Sequence, residues 1–506
     1  MPQKNTKPSE QEQRGEREDP AGRSGREGKD AMKYVLNRDY RLRGWKGEPF
    51  FLERFSQRKL TRLTPEEFLF FIKCDGAAEI DPSRIPAPEW ALTEGIVSPC
   101  ADGRRILPEQ EYKVFSNRRF HYVELSVTGR CNFRCRHCFN AADTNPRTVE
   151  PSLDRLKGLL ADLDDCGVGR LRLVGGEPLV HPDFPAITEE AARRGMRMID
   201  ILTNGWHITP ELLDVLERQG HRPAWFVSFD GLGHHDWLRG MPNAEEQTLR
   251  AIRLLCEKGY YVHVHQCVWR DSLDSVRPTV KRLRELGVAR YRLTPVEPSL
   301  RWKSVAPEQT ITTEIWQKWF LSFLDWWYEQ DLEMDLDIWG FWQHDHRTKD
   351  VHIVPDISRA SDRQQRIPMC GDARSMPYID ADGRLLFCDG LSGISAAYGI
   401  AWENVYETKV KQLFTDSLFT RRLFECTCAD LKAGNPTCRA CEWIDHCSMG
   451  CRAEALTQGN GIKGPDHRMC VFFQSGIYRE LLAKAKKFGL RPVSAGSGDG
   501  SPAHAD

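Results

Sequence analysis

The stretch TGRCNFRCRHCFN, Thr128 to Asn140, contains Cys131, Cys135 and Cys138 with the spacing C-x3-C-x2-C. A disulfide joins two thiols, and a closed zinc or iron-sulfur site takes four ligands. Three thiolates on one loop would bind a cubane [4Fe-4S] cluster and leave one iron for a bidentate small molecule. A zinc site completed by His137 and a set of unrelated core thiols are the alternatives at this point.

The loop follows the first of six strand-like segments that alternate with helix-like segments between about His121 and Glu297. In order, the six are YVELSVT, RLRLVGG, MIDILTNG, AWFVSFDG, YVHVHQCV and ARYRLTP. One helical segment, SLDRLKGLLADL, places its leucines on a single face. This alternation predicts an α/β fold with a parallel sheet, here a partial (β/α)6 TIM-like barrel. Active sites of such sheets lie at the carboxyl ends of the strands, which is where the cysteine loop falls.

The second strand-like segment ends in Gly175, Gly176, Glu177 and Pro178. Together with the cysteine triplet, this GGEP sequence resembles the radical S-adenosylmethionine (SAM) family. The resemblance implies that the amino and carboxylate groups of SAM chelate the open iron, and that one electron from the cluster cleaves SAM to methionine and a 5'-deoxyadenosyl radical. The glycines would permit close approach, so that backbone polar groups at the strand end meet the SAM ammonium.

The next two strand ends continue the resemblance with TNG and SFDG, followed by HHDWLRG. The family pattern implies that Ser228 binds the SAM ribose, that Arg239 binds its carboxylate and that His137 lies along the adenine. Taken singly, Asp230 is an ordinary turn residue and Arg239 a surface ion-pair partner. The cofactor-binding residues implied by the resemblance are His137, Gly175, Gly176, Glu177, Thr203, Asn204, Ser228, Asp230 and Arg239.

A second set of cysteines lies in the C-terminal region. Its members are Cys370, Cys388, Cys438, Cys441, Cys447, Cys451 and Cys470. Their spacing resembles the SPASM extension of radical SAM enzymes, which carries two auxiliary [4Fe-4S] clusters. A zinc ribbon would use four of these thiols and leave no role for the others. The resemblance assigns a closed second auxiliary cluster to Cys438, Cys441, Cys447 and Cys470.

The first auxiliary cluster is assigned to Cys370, Cys388 and Cys451. Its fourth iron is either open to a substrate thiolate or ligated by Cys426 or Cys428 in ECTCAD. Asp389 directly follows Cys388, and in sulfatase-maturing members an aspartate at this place acts as general base. Burial would raise the pKa of such a carboxyl into the range required. An ordinary turn residue in CDG is the alternative.

The region before the cysteine loop predicts a small domain with a strand in YRLRGW, a hairpin through PFFLERFSQRKLTRLT and a helix in PEEFLFFIKCDG. A second helical stretch spans about Ala87 to Gly95. This element order resembles the winged-helix peptide-recognition element of peptide-modifying enzymes and of the pyrroloquinoline-quinone peptide chaperone. A purely structural N-terminal cap is the alternative.

A length of 506 residues predicts several domains. The formal net charge of -1 gives no indication of nucleic-acid binding. A signal peptide and an apolar run long enough to span a membrane are absent from the sequence, so we expect a cytoplasmic protein whose clustered cysteines bind metal. Met32 is a candidate natural start. The expected division is a disordered tail (1–31), a winged-helix-like domain (32–118), a radical SAM partial barrel (119–300), a helical connection (301–365), a SPASM domain (366–475) and a C-terminal helix with a disordered tail (476–506).

The function favoured by these resemblances is maturation of a ribosomally made peptide, through a crosslink or a related modification that begins with hydrogen-atom abstraction. The expected cofactors are SAM and three [4Fe-4S] clusters, and the expected partners are a precursor peptide and an electron donor such as flavodoxin or ferredoxin. Oxidation of Cys or Ser to formylglycine and backbone epimerisation are alternatives within enzymes. An iron-sulfur peptide-binding or electron-carrier protein is the alternative outside them.

Overall fold

The computed structural model describes residues 31–140, 149–298, 300–353, 370, 376–424 and 426–493. The predicted tail over 1–30, the end of the chain from 494 and the stretch 354–365 of the predicted connection therefore lie outside the described residues. The chain divides into two compact units, Met1–Tyr40 with Leu63–Glu111, and Arg41–Arg62 with Tyr112–Asp506. Within the described ranges, each helix is too short or too polar to cross a membrane.

The strands are β1 (Tyr34–Leu36), β2 (Tyr40–Trp45), β3 (Glu48–Arg54), β4 (Lys59–Arg62), β5 (Val97–Pro99), β6 (Lys113–Phe115), β7 (Val123–Ser126), β8 (Arg170–Val174), β9 (Arg197–Thr203), β10 (Ala224–Ser228), β11 (Val262–Val268), β12 (Arg290–Pro295), β13 (Asp335–Ile338), β14 (Trp342–His344), β15 (Asp350–His352), β16 (Tyr378–Ile379), β17 (Leu385–Leu386) and β18 (Arg491–Pro492).

The α-helices are α1 (Pro65–Phe71), α2 (Glu89–Thr93), α3 (Leu153–Asp164), α4 (Phe184–Arg193), α5 (Pro210–Arg218), α6 (His235–Arg239), α7 (Ala244–Glu257), α8 (Val276–Glu285), α9 (Leu300–Val305), α10 (Thr313–Glu329), α11 (Val410–Thr415), α12 (Leu418–Phe424), α13 (Cys428–Gly434), α14 (Pro436–Arg439), α15 (Arg452–Thr457), α16 (His467–Gln474) and α17 (Ile477–Lys487).

The first unit pairs β1 with β5 antiparallel and packs α1 beside them. A capping box starts α1, because Thr64 Oγ1 accepts from the Glu67 N–H while the Glu67 carboxylate accepts from the Thr64 N–H. Phe70 of α1 is fully buried and meets the Tyr34 ring edge-on. The predicted helix and the second helical stretch are both present, and the predicted hairpin is formed by β3 and β4.

A four-stranded sheet in the second unit has the order β4-β3-β2-β6, with β4 at an edge. Arg58, at the turn before β4, is buried and donates to the carbonyl oxygens of Gly195 (2.5 Å) and Arg194 (3.0 Å) after α4. It also donates to the buried Glu53 carboxylate at 3.1 Å. These bonds attach the hairpin to the helices that cover the central sheet.

The central sheet has twelve strands among the described residues, in the order β17-β16-β7-β8-β9-β10-β11-β12-β13-β14-β15-β18. Strands β7 to β12 are the six predicted segments, and all of them pair in parallel with their sequence neighbours. Their outward-facing apolar residues join the helices in one large core. The predicted α/β class and parallel strand order are therefore confirmed.

The two flanks of this sheet were not anticipated. In the stretch expected to be a helical connection, α9 and α10 are followed by β13, which pairs in parallel with β12, and by the antiparallel strands β14 and β15. The sequence DLDI explains β13, because its Leu336 and Ile338 enter the core on one side while the aspartates face the other. At the opposite flank, β16 from the cysteine-rich region pairs in parallel with β7.

Candidate active site

The cysteine loop follows β7, at the carboxyl end of the strand. Its three thiols lie close enough to interact electrostatically, since Cys135 and Cys138 each raise the pKa of Cys131. Burial is the largest cause of that rise, and it also raises the pKa of Cys135 to about 11. Burial disfavours the thiolate form of these three thiols when no cation is near. They fit a site for bound iron, because a coordinated iron ion would supply the positive charge that stabilises the thiolates.

Backbone hydrogen bonds attach this loop to α6. The Arg136 N–H donates to the Leu238 carbonyl oxygen at 2.8 Å, and the Arg134 N–H donates to the Arg239 carbonyl oxygen at 3.3 Å. Phe133, the residue before Arg134, is buried and meets the Trp206 ring edge-on. The loop and α6 therefore form one structural element around the thiols.

The two glycines of GGEP lie against the same loop. A Cβ atom on Gly175 would be 2.4 Å from the Thr128 carbonyl oxygen, and one on Gly176 would be 2.3 Å from the Arg130 carbonyl oxygen. The Gly176 N–H donates to Thr128 at 2.8 Å and the Glu177 N–H to Arg130 at 2.9 Å. The two glycines were expected to allow a close approach of SAM. In the structure they also allow the backbone of GGEP to lie directly against the backbone of the cysteine loop, because any larger residue would clash there.

Glu177 is buried and joins three strand ends. Its carboxylate accepts from the Thr203 hydroxyl at 2.8 Å and from the Asn204 N–H at 2.7 Å. Asn204 in turn donates through its side-chain amide to Asn132 of the cysteine loop at 2.8 Å. Burial raises the pKa of Glu177 to about 7, against these hydrogen bonds, which lower it. GGEP, TNG and the cysteine loop are therefore brought together as the sequence implied.

Asp230 and Arg239 form a buried two-point ion pair. Arg239 Nε lies 2.5 Å from Asp230 Oδ2 and its Nη2 lies 3.1 Å from Oδ1. The remaining nitrogen, Nη1, is 3.8 Å from the sulfur of Cys135. The Asp230 N–H donates to the ring of the fully buried His235 at 2.9 Å. Ser228 ends β10 two residues before Asp230 and pairs in register with His265.

His137 and Cys267 complete the neighbourhood of this ion pair. A ring nitrogen of His137, a carboxylate oxygen of Asp230 and the Cys267 sulfur all lie within 4.8 Å of one another. Burial lowers the pKa of His137 to about 3, so the ring is neutral, and its Nδ1 is buried with no hydrogen-bond partner among the described residues. Cys267 was missed by the sequence reasoning; its position at the end of a parallel strand was the available signal.

The cysteines assigned to the closed auxiliary cluster form one electrostatically connected group. Burial raises the pKa of Cys438 and Cys470, and neighbouring thiols raise it further: Cys441 acts on Cys438, and both Cys438 and Cys441 act on Cys470. Burial raises the pKa of Cys447 to about 12, with smaller contributions from Cys470 and Cys438. Four clustered thiols fit a closed [4Fe-4S] site.

The other assigned cysteines lie nearby in the same unit. Cys370 and Cys388 are half-buried against the main core. A Cβ atom added to Gly390 would lie 3.6 Å from the Cys388 sulfur and 3.6 Å from Ala453 Cβ. Cys388 is therefore close to the start of α15, and Cys451 is the residue that directly precedes this helix. The Cys451 N–H donates to the buried carboxylate of Asp466 at 3.1 Å.

Cys426 and Cys428 have surroundings of a different kind. The Cys428 thiol is buried and donates to the Ser448 carbonyl oxygen at 3.5 Å. Burial raises the pKa of both Cys428 and Cys438, and the same two cations, Lys432 and Arg452, oppose the rise at each thiol. These contacts place Cys428 beside the closed group of thiols.

Asp389 interacts electrostatically with Glu124 of β7, a residue that the sequence reasoning missed. Glu124 is buried, and burial together with Asp389 raises its pKa to about 8. Arg172 lies 3.4 Å from Glu124, but it forms a closer two-point pair with Asp200 at 2.7 and 2.9 Å. The charge of Arg172 is thus balanced largely by Asp200, so it lowers the pKa of Glu124 less than burial and Asp389 raise it. A buried carboxyl therefore lies beside Asp389, the residue predicted as general base.

Comparisons with known proteins find similar sequences and similar folds. Residues 125–283 match the Radical SAM superfamily model. An AdoMet-dependent heme synthase from Methanosarcina barkeri is 28% identical over 43% of this chain and 60% of its own length. The antilisterial bacteriocin subtilosin biosynthesis protein AlbA from Bacillus subtilis is 26% identical over 36% of this chain and 41% of its own length. The chain thus spans about half the length of these two relatives.

Among solved structures, SuiB from Streptococcus suis bound to its precursor peptide SuiA has a similar fold. Its TM-score is 0.60, with 13% sequence identity over 86% of this chain and 99% of SuiB. The likeness includes much more of the chain than the superfamily match alone. The sequence-based prediction of a radical SAM enzyme is confirmed by the match over residues 125–283, and the fold is similar to that of SuiB.

Proposed function

We propose that this chain is a peptide-modifying enzyme that cleaves SAM and abstracts a hydrogen atom from a ribosomally made precursor peptide. The starting point is the radical SAM domain formed by residues 125–283. The observation that carries the proposal is the convergence of the Cys131, Cys135 and Cys138 thiols with Glu177 and Asp230 at one end of the parallel sheet. When bound there, a [4Fe-4S] cluster and SAM would supply the one-electron chemistry that generates a hydrogen-abstracting radical.

The residues of the chain would position the reaction. Glu177 holds the ends of β8 and β9 to the cysteine loop through Thr203 and Asn204. The neutral ring of His137 offers an unpaired nitrogen to a bound nucleoside. Glu124 and Asp389 provide a carboxyl pair that can hold or accept a proton. Burial of these groups excludes water from the site.

Support for a peptide substrate comes from the N-terminal region. Strand β4 is an edge strand whose Lys59, Thr61 and Arg62 are exposed, and an extended peptide can add to such an edge. The fold likeness to SuiB, a structure with a bound precursor peptide, extends over 86% of the chain. We therefore assign peptide recognition to the winged-helix-like region 32–118.

The C-terminal thiols would hold two auxiliary [4Fe-4S] clusters, as the SPASM resemblance implies. The contact of the Cys428 thiol with the Ser448 carbonyl oxygen favours an open iron at Cys370, Cys388 and Cys451 over a fourth ligand from Cys428, and Cys426 is the alternative ligand. A substrate thiolate would complete that site. Crosslink formation is favoured on this basis, and oxidation to formylglycine and epimerisation are the alternatives.

A second candidate substrate is a porphyrin, which is favoured by the similarity to the AdoMet-dependent heme synthase. The half-buried Arg172, Arg290 and Arg292 on one face of the sheet are paired with Asp200, Asp335 and Asp337. These pairs leave the arginines without free charge for propionate groups, which favours the peptide.

The test is anaerobic reconstitution of the full chain with dithionite and SAM, followed by measurement of 5'-deoxyadenosine. We expect release in the wild type and none in Cys135→Ala; absence of product in both proteins, or equal product in both, contradicts the proposal. Coexpression with a neighbouring small-peptide gene and mass spectrometry then reports the modification. Loss of two hydrogens indicates a crosslink, and no mass change indicates epimerisation.

A further inference from the structure

We infer that Arg239 donates a hydrogen bond to the sulfur of Cys135, is held for this purpose by Asp230, and thereby raises the reduction potential of the cluster bound at Cys131, Cys135 and Cys138. The inference rests on the proposed function, since it requires a cluster at the three thiols. It differs from the SAM-carboxylate role that the family resemblance implies for this arginine.

The nitrogens of the Arg239 guanidinium face two different partners. Nε and Nη2 face the two oxygens of Asp230 at 2.5 and 3.1 Å, which is the bidentate arrangement preferred by an arginine-carboxylate pair. Nη1 is left on the side of the guanidinium that faces Cys135, 3.8 Å from its sulfur. The two-point pair with Asp230 thus occupies one edge of the guanidinium and leaves Nη1 as the nitrogen directed at the sulfur.

Asp230 is itself fixed from several directions. Its side chain is fully buried, and Oδ1 also accepts from the Cys267 N–H at 3.0 Å. Its backbone donates to His235 at 2.9 Å, and its carbonyl oxygen accepts from the Gln266 amide at 3.3 Å. The orientation of the Arg239 side chain is therefore determined by strands β10 and β11 rather than by a ligand.

The position of the arginine relative to the thiols is fixed as well. The carbonyl oxygen of Arg239 accepts from the Arg134 N–H at 3.3 Å, so the backbone of α6 cannot shift without the cysteine loop. Both Arg239 and Cys135 are largely shielded from water. A donor at this distance in a dry site acts on the sulfur with little solvent screening.

The consequence is a preference for the reduced cluster. Reduction adds negative charge, part of which resides on the cysteine sulfurs. Hydrogen bonds to those sulfurs and nearby positive charge stabilise the reduced form and raise the potential. Without the Arg239 donor, the same electron donor would reduce a smaller fraction of the cluster.

The experiment is a potentiometric titration of the anaerobically reconstituted full chain without SAM, followed by electron paramagnetic resonance. The SAM-responsive signal identifies the cluster of interest, because its spectrum changes on SAM addition while those of auxiliary clusters do not. We expect Arg239→Gln to move the midpoint of this cluster to a more negative potential and to leave the dissociation constant of SAM within about threefold of wild type.

Arg136→Lys is the matched control, since Arg136 lies in the same loop with its guanidinium over the Trp237 ring at 4.8 Å. It should leave the midpoint unchanged. If Arg239→Gln does not retain iron, Arg239→Lys takes its place, because an ammonium group keeps the charge beside Asp230 but cannot contact both Asp230 and the sulfur. A smaller shift in the same negative direction is expected, because only the hydrogen bond to the sulfur is lost.

An unchanged midpoint together with SAM binding weakened tenfold or more would overturn the inference and support the carboxylate role. An unchanged midpoint with unchanged SAM binding would overturn both roles. Failure of the proposed function has a different signature, because the wild type itself would then show no SAM-responsive cluster.

Discussion

The Glu177 carboxylate accepts a 2.8 Å hydrogen bond from the Thr203 hydroxyl, and this contact joins the end of β8 to the end of β9. The carboxylate also accepts a hydrogen bond from the backbone N–H of Asn204, and the side chain of Asn204 contacts the cysteine loop. Three segments separated in sequence thus depend on one buried acid. The contact gives the glutamate of GGEP a structural role that does not depend on a ligand.

We expect Glu177→Gln to destabilise the protein by about 1–3 kcal/mol, because a buried donor loses its acceptor when one carboxylate oxygen becomes an amide. Chemical denaturation of the reconstituted protein under anaerobic conditions measures the change. Glu189→Gln is the control, since Glu189 is exposed on α4. Equal stability of the two variants would contradict the structural role of Glu177.

Gly176→Ala should reduce the iron bound at the first three cysteines at least tenfold. The new Cβ would be 2.3 Å from the Arg130 carbonyl oxygen, so the cysteine loop must move away. Iron analysis and the SAM-responsive resonance signal report the loss. Gly158→Ala in α3 meets nothing within 4 Å and should be neutral or stabilising by about 0.5–1 kcal/mol. Full iron retention by Gly176→Ala would show that the two segments can separate without consequence.

The carboxyl of Glu124 predicts a specific pH dependence of stability. Burial raises its pKa from 4.5 to about 8, so the folded state prefers the protonated form. Its contribution to stability is complete below about pH 4.5 and is lost as the pH rises through about 8. We therefore expect the wild type to lose stability relative to Glu124→Gln across this range.

Urea unfolding at several pH values measures this difference, with Glu257→Gln, an exposed site on α7, as the control. The wild type and the control should share one pH profile, and Glu124→Gln should have a flatter one. Parallel profiles for all three proteins would mean that Glu124 ionises normally.

Arg58→Ala should detach the hairpin of β3 and β4 from the helices beside it. The side chain loses hydrogen bonds to Gly195, Arg194 and Glu53, and it leaves a buried carboxylate with fewer partners, at a cost of about 3–5 kcal/mol. Hydrogen exchange of residues 48–62 should accelerate, and precursor-peptide affinity should fall. Arg62→Ala removes a mostly exposed side chain on the same hairpin and should leave the hydrogen exchange of residues 48–62 unchanged. Unchanged exchange in Arg58→Ala would place the anchor elsewhere.

The two groups of C-terminal cysteines make different predictions about iron content. Cys470→Ala should remove about four iron atoms per chain, since one ligand of a closed cluster is lost. Cys428→Ala should retain the full iron content, because its thiol donates to the Ser448 carbonyl oxygen. Iron and sulfide analysis of the reconstituted variants measures both. Loss of iron in Cys428→Ala would make Cys428 a ligand after all.

Sequence periodicity was sufficient to predict β7 to β12, because each is a short apolar run between a helix and a polar strand end. The positions of Glu177, Thr203 and Asn204 followed from this, since parallel strands place their carboxyl ends at one edge. The role of Arg239 could not be predicted in the same way. Which partner its guanidinium chooses depends on Asp230 being held by β11, a contact between distant parts of the chain.

Strands β13 and β16 were missed for a related physical reason. Each is short, and β16 contains Tyr378 and Ile379 alone, so no period is visible in the sequence. Their strand conformation comes from an existing sheet edge that supplies hydrogen-bond partners. Glu124 escaped attention because a single acid in an apolar run carries no motif; its environment is created by Asp389 from the far end of the chain.

The pairing of β16 with β7 also has a consequence for the growing polypeptide. β7 is among the first strands of the central sheet to leave the ribosome, whereas the segment that covers its edge is made long afterwards. At about 5–20 residues per second, this edge stays uncovered for roughly 10 to 50 s during translation. The nascent sheet therefore presents an open hydrogen-bonding edge beside the future iron-binding loop, and both are enclosed only when the C-terminal region arrives.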